Sequence, residues 1–107
     1  MALVLVGMPS MVVPIATSTS NAIRQFDDAF AITLYSPTLT STTVQVMVEP
    51  TSTGSNWVVL QSGGTDVNIE SLKGTVISPA AFLQMRIETG GAEAAARTFT
   101  VTKTILT

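Results

Sequence analysis

The chain has 107 residues, a formal charge of −2 and neither cysteine nor histidine. One domain is the natural reading of that length. A disulfide framework and a thiolate metal centre are excluded, and the commonest general base and zinc ligand are missing. The basic residues Arg24, Lys73, Arg86, Arg97 and Lys103 are scattered rather than gathered into the stripe that phosphate neutralisation requires, so nucleic acid is not expected as a partner.

Charged residues make up only 11% of the chain and hydrophobic ones 46%, against about 25% charged in an ordinary globular protein. Serine and threonine fill 27 positions, so the polar surface is largely hydroxyl. Threonine and valine are β-branched and favour strands. An all-β fold follows.

Two zones succeed each other. The first, residues 1–25, reads as an extended N-terminal arm. Ala2–Val6 and Met11–Ile15 are apolar and extended in type, and Pro9 and Pro14 break them. Those breaks, and a first cationic side chain only at Arg24, fit neither a secretory signal nor a membrane span, so no membrane is expected as a partner. A brief helical turn around Asn21–Phe26 is weakly signalled by Ser20 and Asn21 as caps.

The second zone, residues 26–107, is a run of strand patterns. Ala29–Tyr35 places Phe30, Ile32 and Leu34 on one face, and Thr42–Glu49 does the same with Val44, Val46 and Val48. Pro50 and the loop Thr51–Ser55 follow. Asn56–Gln61 is a short strand with Trp57 and Val59 inward, and Ser62-Gly63-Gly64 supplies the positive-φ residues of a tight hairpin. Asp66–Glu70 sets Val67 and Ile69 inward; Thr75–Ile77 is another short strand after the Lys73-Gly74 turn. Ala81–Thr89 aligns Leu83, Met85 and Ile87 against Gln84, Arg86 and Glu88. Ala92–Ala96 could supply one helical turn after Gly90-Gly91. Arg97–Leu106 opposes Phe99, Val101 and Ile105 to a threonine ladder at 98, 100, 102 and 104. About seven strands with regular turn signals indicate an antiparallel β-sandwich, jelly-roll or immunoglobulin-like.

Catalytic chemistry is thinly represented, and no enzyme or cofactor is expected. Lys73 and Lys103, the lysines a Ser–Lys pair would need, read as solvated surface residues. Asp27 and Asp28 are adjacent and on a strand would point apart. Asp66, Asn68 and Glu70 share a strand face but lie about 7 Å apart in steps of two, too wide for one ion without further ligands. Trp57 and Tyr35 could anchor a carbohydrate, although a lone tryptophan in a β-domain is commonly core.

The apolar side chains of the arm, Leu3, Val4, Leu5, Val6, Met8, Met11, Val12, Val13 and Ile15, are the candidate protein interface. Burying each is worth about 1.5–3 kcal/mol, and leaving all of them exposed would exceed what soluble monomers tolerate. Either they form one more strand on the chain's own sandwich, or they cross to a neighbouring subunit. Both can hold at once.

A proline-broken apolar arm ahead of a Thr/Val-rich β-domain, with Phe26-Asp-Asp-Ala-Phe-Ala-Ile-Thr-Leu34, Asn56-Trp-Val-Val-Leu-Gln-Ser-Gly-Gly-Thr-Asp66 and Phe82-Leu-Gln-Met-Arg-Ile87, resembles the small structural proteins of tailed bacteriophages. Among these it is most similar to capsid decoration (cement) proteins. The resemblance implies a virion protein on the head surface, assembled in the host cytoplasm. Its partners would be the major capsid protein or other virion subunits, and it would form a homo-oligomer, dimer or trimer. A tail, neck or fibre-associated module, or a carbohydrate- or calcium-binding β-module, are the competing readings.

Overall fold

The computed structural model describes residues 2–26, 28–50, 56–62, 64–78 and 82–107. Asp27, the Thr51–Ser55 loop, Gly63 and Ala81 therefore lie outside the described residues. The fold is all-β: β1 (Leu3–Gly7), β2 (Met11–Val13), β3 (Ala29–Tyr35), β4 (Val44–Glu49), β5 (Val58–Val59), β6 (Gln61–Ser62), β7 (Thr65–Asp66), β8 (Gly74–Ile77), β9 (Gln84–Thr89) and β10 (Arg97–Leu106). Every ladder between these strands is antiparallel.

The first sheet has the order β1-β10-β3-β8. One edge of β10 pairs with β2 through Arg97–Phe99 and then with β1 through Thr102–Leu106. Its other edge pairs with β3 from Thr100 to Ile105. Pro9, which has no N–H to give a ladder, falls in the gap where the chain leaves β1 and re-enters as β2. The second sheet is β5-β4-β9, and β6 and β7 form a small hairpin with Gly64 at φ 83°. Residues 18–23 run along the free side of β9, with bridges Thr19 to Glu88 and Ile23 to Met85.

The apolar rows of both sheets contribute to one buried cluster, as a sandwich requires. Ile32, Leu34, Phe99 and Val101 come from the first sheet and Val44, Val46, Val48, Met85 and Ile87 from the second. Phe26 and Phe82 meet edge to face at 5.0 Å between ring centroids, a favoured aromatic geometry. Met11, Val13 and Ile23, from the first 25 residues, belong to the same cluster.

Several local readings change. Phe30 is half exposed although Ile32 and Leu34 are fully buried. The register explains this: Ala31 faces Thr104 but Ala29 faces Ile105, so Phe30 is the extra residue of a β-bulge. Leu83 lies ahead of β9 and is exposed, while Gln84 and Phe82 are buried. The strand at Asn56–Gln61 is interrupted at Leu60, whose N–H bonds the Val46 carbonyl while its own carbonyl takes the Val67 N–H. The helical turns at 21–26 and 92–96 do not form. Instead the Asn21 amide accepts from the Val12 N–H and donates to the Ser10 carbonyl, and Ile23 exchanges backbone bonds with Met85.

Truncating Phe99 to alanine removes a fully buried ring from the strand shared by most of the first sheet. Urea denaturation should show a loss of about 3–5 kcal/mol, whereas Thr100→Ala, one residue along on the exposed row, should stay within about 0.5 kcal/mol of the parent.

Candidate interaction surface

Alternation along β10 turns Phe99, Val101 and Lys103 inward and Thr98, Thr100, Thr102 and Thr104 outward. The registers carry this outer row across the sheet. Leu3 lies beside Leu106, Leu5 beside Thr104 and Gly7 beside Thr102. On the other side stand Ala31, Thr33 and Tyr35, and beyond them Val76 and Gly74. No charged side chain occurs in these rows. Leu3, Leu5, Tyr35, Val76 and Leu106 are exposed within it, with the threonines between them. The outer row of the second sheet differs: Gln45 faces Glu88 and Met47 faces Arg86, and Arg86 sits 3.7 Å from Glu88. The molecule therefore has one charged sheet face and one uncharged one.

The nine arm residues divide. Met11 and Val13 are wholly buried, and Met8 packs partly against the core. Val4 and Val6 occupy the inward row of β1, opposite Ile105 and Lys103, with Val4 still 40% exposed. Leu3 and Leu5, at 60% and 67% exposure, extend the uncharged face. Val12 lies opposite Thr98 on the same outer row and is half-buried. Ile15, beyond β2, is exposed. The structure thus gathers Leu3, Leu5 and Val12 on one face with the threonine ladder and sets Met11 and Val13 apart from them in the core.

Among the described residues three ionisable side chains are buried, Glu49, Glu93 and Lys103, and the last two tie distant segments of the fold together. Lys103 is on the inward row, not the threonine row, and is only 8% exposed, so its reading as a solvated lysine is corrected. Its Nζ donates to the Gln25 carbonyl at 2.8 Å and to Asp28 Oδ1 at 2.6 Å. Gln25 has φ 75°, an unfavourable conformation for a non-glycine residue, at the carbonyl that Lys103 binds. The Lys103 ammonium holds the Asp28 carboxyl below the usual carboxylate range.

Glu93, within the alanine-rich loop, is the second. Its carboxylate accepts from the Thr40 N–H (2.8 Å), the Ser41 N–H (2.9 Å), the Ser41 hydroxyl (2.7 Å) and Arg97 Nε (2.9 Å). Burial by itself pushes this carboxyl up, but the donors from Thr40, Ser41 and Arg97 outweigh it and hold the group at about 2. Sequence reading missed Glu93. The signal available was a lone acid four residues before Arg97 in an otherwise alanine-rich loop.

Among the described residues the remaining candidates do not assemble into a reactive centre. Asp66 accepts from the amides of Gln45 and Gln61, and Asn68 accepts the Val44 N–H, so two members of the 66/68/70 row are engaged in joining β4 to its neighbours. Arg86 lies 4.4 Å over the Trp57 ring, a cation–π contact on the surface that a sugar would use. A shallow depression of about 380 Å³, lined by Thr40–Thr43 and Gly90–Ala92, has no ionisable side chain in its lining. Among the described residues no group of three acidic side chains converges as a metal site. No family model, curated protein or solved structure matches the chain.

The Glu93 clasp makes a signed prediction. Its carboxyl is held from 4.5 down to about 2, so it stabilises the fold above about pH 4.5 and that contribution is lost as pH falls towards about 2. The shift is equivalent to about 3 kcal/mol. Thermal melts from pH 7 to pH 2 should show the parent losing stability through this window. Glu93→Gln should begin lower at pH 7 and decline less steeply.

Proposed function

We propose that the chain is a viral structural protein, a decoration or cement protein that lies on a phage head and ties neighbouring shell subunits together. The uncharged outer face of the first sheet carries this reading. Hydroxyl and aliphatic groups cost less to desolvate than ammonium or carboxylate, and interface cores are depleted in charge. An uncharged sheet face of this kind suits broad contact with a protein shell rather than capture of a small ligand. Leu3, Leu5 and Val12 of the N-terminal segment are part of that face, so the segment and the sandwich act together. In this role the chain performs no chemistry and needs no cofactor. Its partners are the major capsid protein and further copies of itself, and its place is the virion surface.

A tail, neck or fibre-associated protein would use the same face at far fewer copies. Copy number therefore separates the two. Quantitative mass spectrometry of purified particles of the virus encoding the chain should find it in a fixed ratio near that of the shell subunit. A few copies per particle would move it to the tail or neck, and absence from particles would remove the virion reading altogether. Thr102→Lys, which sets a charge at the middle of the face between Gly7 and Thr33, should leave the melting temperature nearly unchanged. Occupancy on the particle should fall at least tenfold.

A further inference from the structure

The backbone edge of β1 is open. Ala2 and Thr107 exchange both N–H···O bonds, each 2.9 Å, and the Met8 N–H bonds the Val101 carbonyl. In an antiparallel ladder these bonded positions alternate. Val4 and Val6 therefore direct their amides at β10, and Leu3, Leu5 and Gly7 direct theirs away from the sheet.

The other sheet edges are blunted. Residues 18–23 cover β9. β5 is two residues long, and Asn68 bridges to Gln45 on the same side of β4. β8 is four residues and is entered from Lys73. Short strands and edge lysines are the usual protections against edge-to-edge pairing. β1 carries neither lysine nor proline.

We infer that β1 is the interface with a second copy of this chain, through antiparallel pairing of β1 with its own symmetry mate centred on Leu5. That register satisfies the free groups reciprocally. Leu5 exchanges two bonds with the mate's Leu5, and Leu3 does so with the mate's Gly7. Side chains match as well. Nothing lies within 4 Å of the position a Cβ would take on Gly7, and Leu3 of the other copy fills that space. The pairing is isologous, so it closes as a two-fold dimer and does not propagate. Its axis runs perpendicular to the sheet, which turns both threonine faces to the same side. The dimer deepens the decoration reading and rests on it for its purpose, since two uncharged faces in one plane span two shell subunits.

Sedimentation of the free protein over a concentration series tests this. The parent should sediment as a dimer at high concentration. Leu5→Pro deletes only an outward N–H, which an edge strand tolerates, and should sediment as a folded monomer with an unchanged circular dichroism spectrum. Because a proline can still perturb a strand, a second variant reads the geometry directly. Leu5→Cys, in a chain without other cysteines, places two thiols on the axis at a Cα separation of about 5.5 Å. It should oxidise to a covalent dimer, while Val76→Cys on the β8 edge should not. A parent that stays monomeric at every concentration, dimerisation unaffected by Leu5→Pro, or cross-linking through residue 76 instead of 5, would each overturn the inference. Particle occupancy of the parent, measured beside its sedimentation, keeps the two proposals distinguishable. A monomeric parent that still decorates particles sinks the dimer alone, and a clean dimer absent from particles sinks the decoration reading alone.

Discussion

Strand β10 is hydrogen-bonded along both edges, and this double pairing fixes almost everything else. Between β1 and β2 on one side and β3 on the other, the strand can neither rotate nor slip without breaking two ladders together. A one-residue slip would drive Thr98, Thr100 and Thr102 into the core and push Phe99 and Val101 into water. The register is therefore specified by burial, and the outer threonine ladder is its necessary complement. The same alternation forces Lys103 inside. An isolated ammonium there would be very costly, and the fold answers with the Asp28 carboxylate and the Gln25 carbonyl.

At the opposite end of β10 the logic repeats with the signs exchanged. Arg97, its first residue, binds Glu93, and Glu93 also takes the amides of Thr40 and Ser41. Those residues lead into β4 of the second sheet, and the Gly90 N–H bonds the Thr43 carbonyl alongside them. One buried carboxylate thus ties the start of the last strand of the first sheet to the entry of the second. Hydrophobic contact between two sheets is non-directional; the clasp adds a directional constraint on how the loop between β9 and β10 meets the strand entering β4.

Much of this was legible in the sequence wherever alternation was regular. The inward rows at Ile32 and Leu34, Val44 to Val48, Met85 and Ile87, and Phe99 and Val101 follow from period two alone, as does the all-β class. The misreadings have physical causes. A bulge shifts parity by one residue, and nothing local marks Phe30 as that residue. Lys103 shares parity with Val101, but charge suggested the polar row, because its counter-groups lie more than seventy positions away. Glu93 was missed because its four donors come from Thr40, Ser41 and Arg97, and a single sequence does not display long-range closure. The N-terminal segment was legible as apolar and extended. Its pairing with β10, about a hundred residues on, was not.

The distribution of charge gives the uncharged face its meaning. Burial explains an apolar inner row, and solubility favours charge on outer ones. The second sheet follows that rule with Arg86 and Glu88, the two charged residues of β9 that face outward beside Gln45 and Met47. The outer row of the first sheet does not, although that sheet holds the two longest described strands, β10 and β3, and its threonine positions would accept lysine or glutamate without disturbing the core. Threonine there keeps the β-branched preference for a pleated surface and a hydroxyl for hydrogen bonding, while avoiding the desolvation penalty of a full charge. Leu3, Leu5, Leu106 and Val76 on the same face add apolar area that folding of this chain alone leaves in water. A surface built this way is costly for a solitary protein in solution and favourable for one that spends its life against another protein surface, and that asymmetry is the physical ground for reading the chain as a component of an assembly.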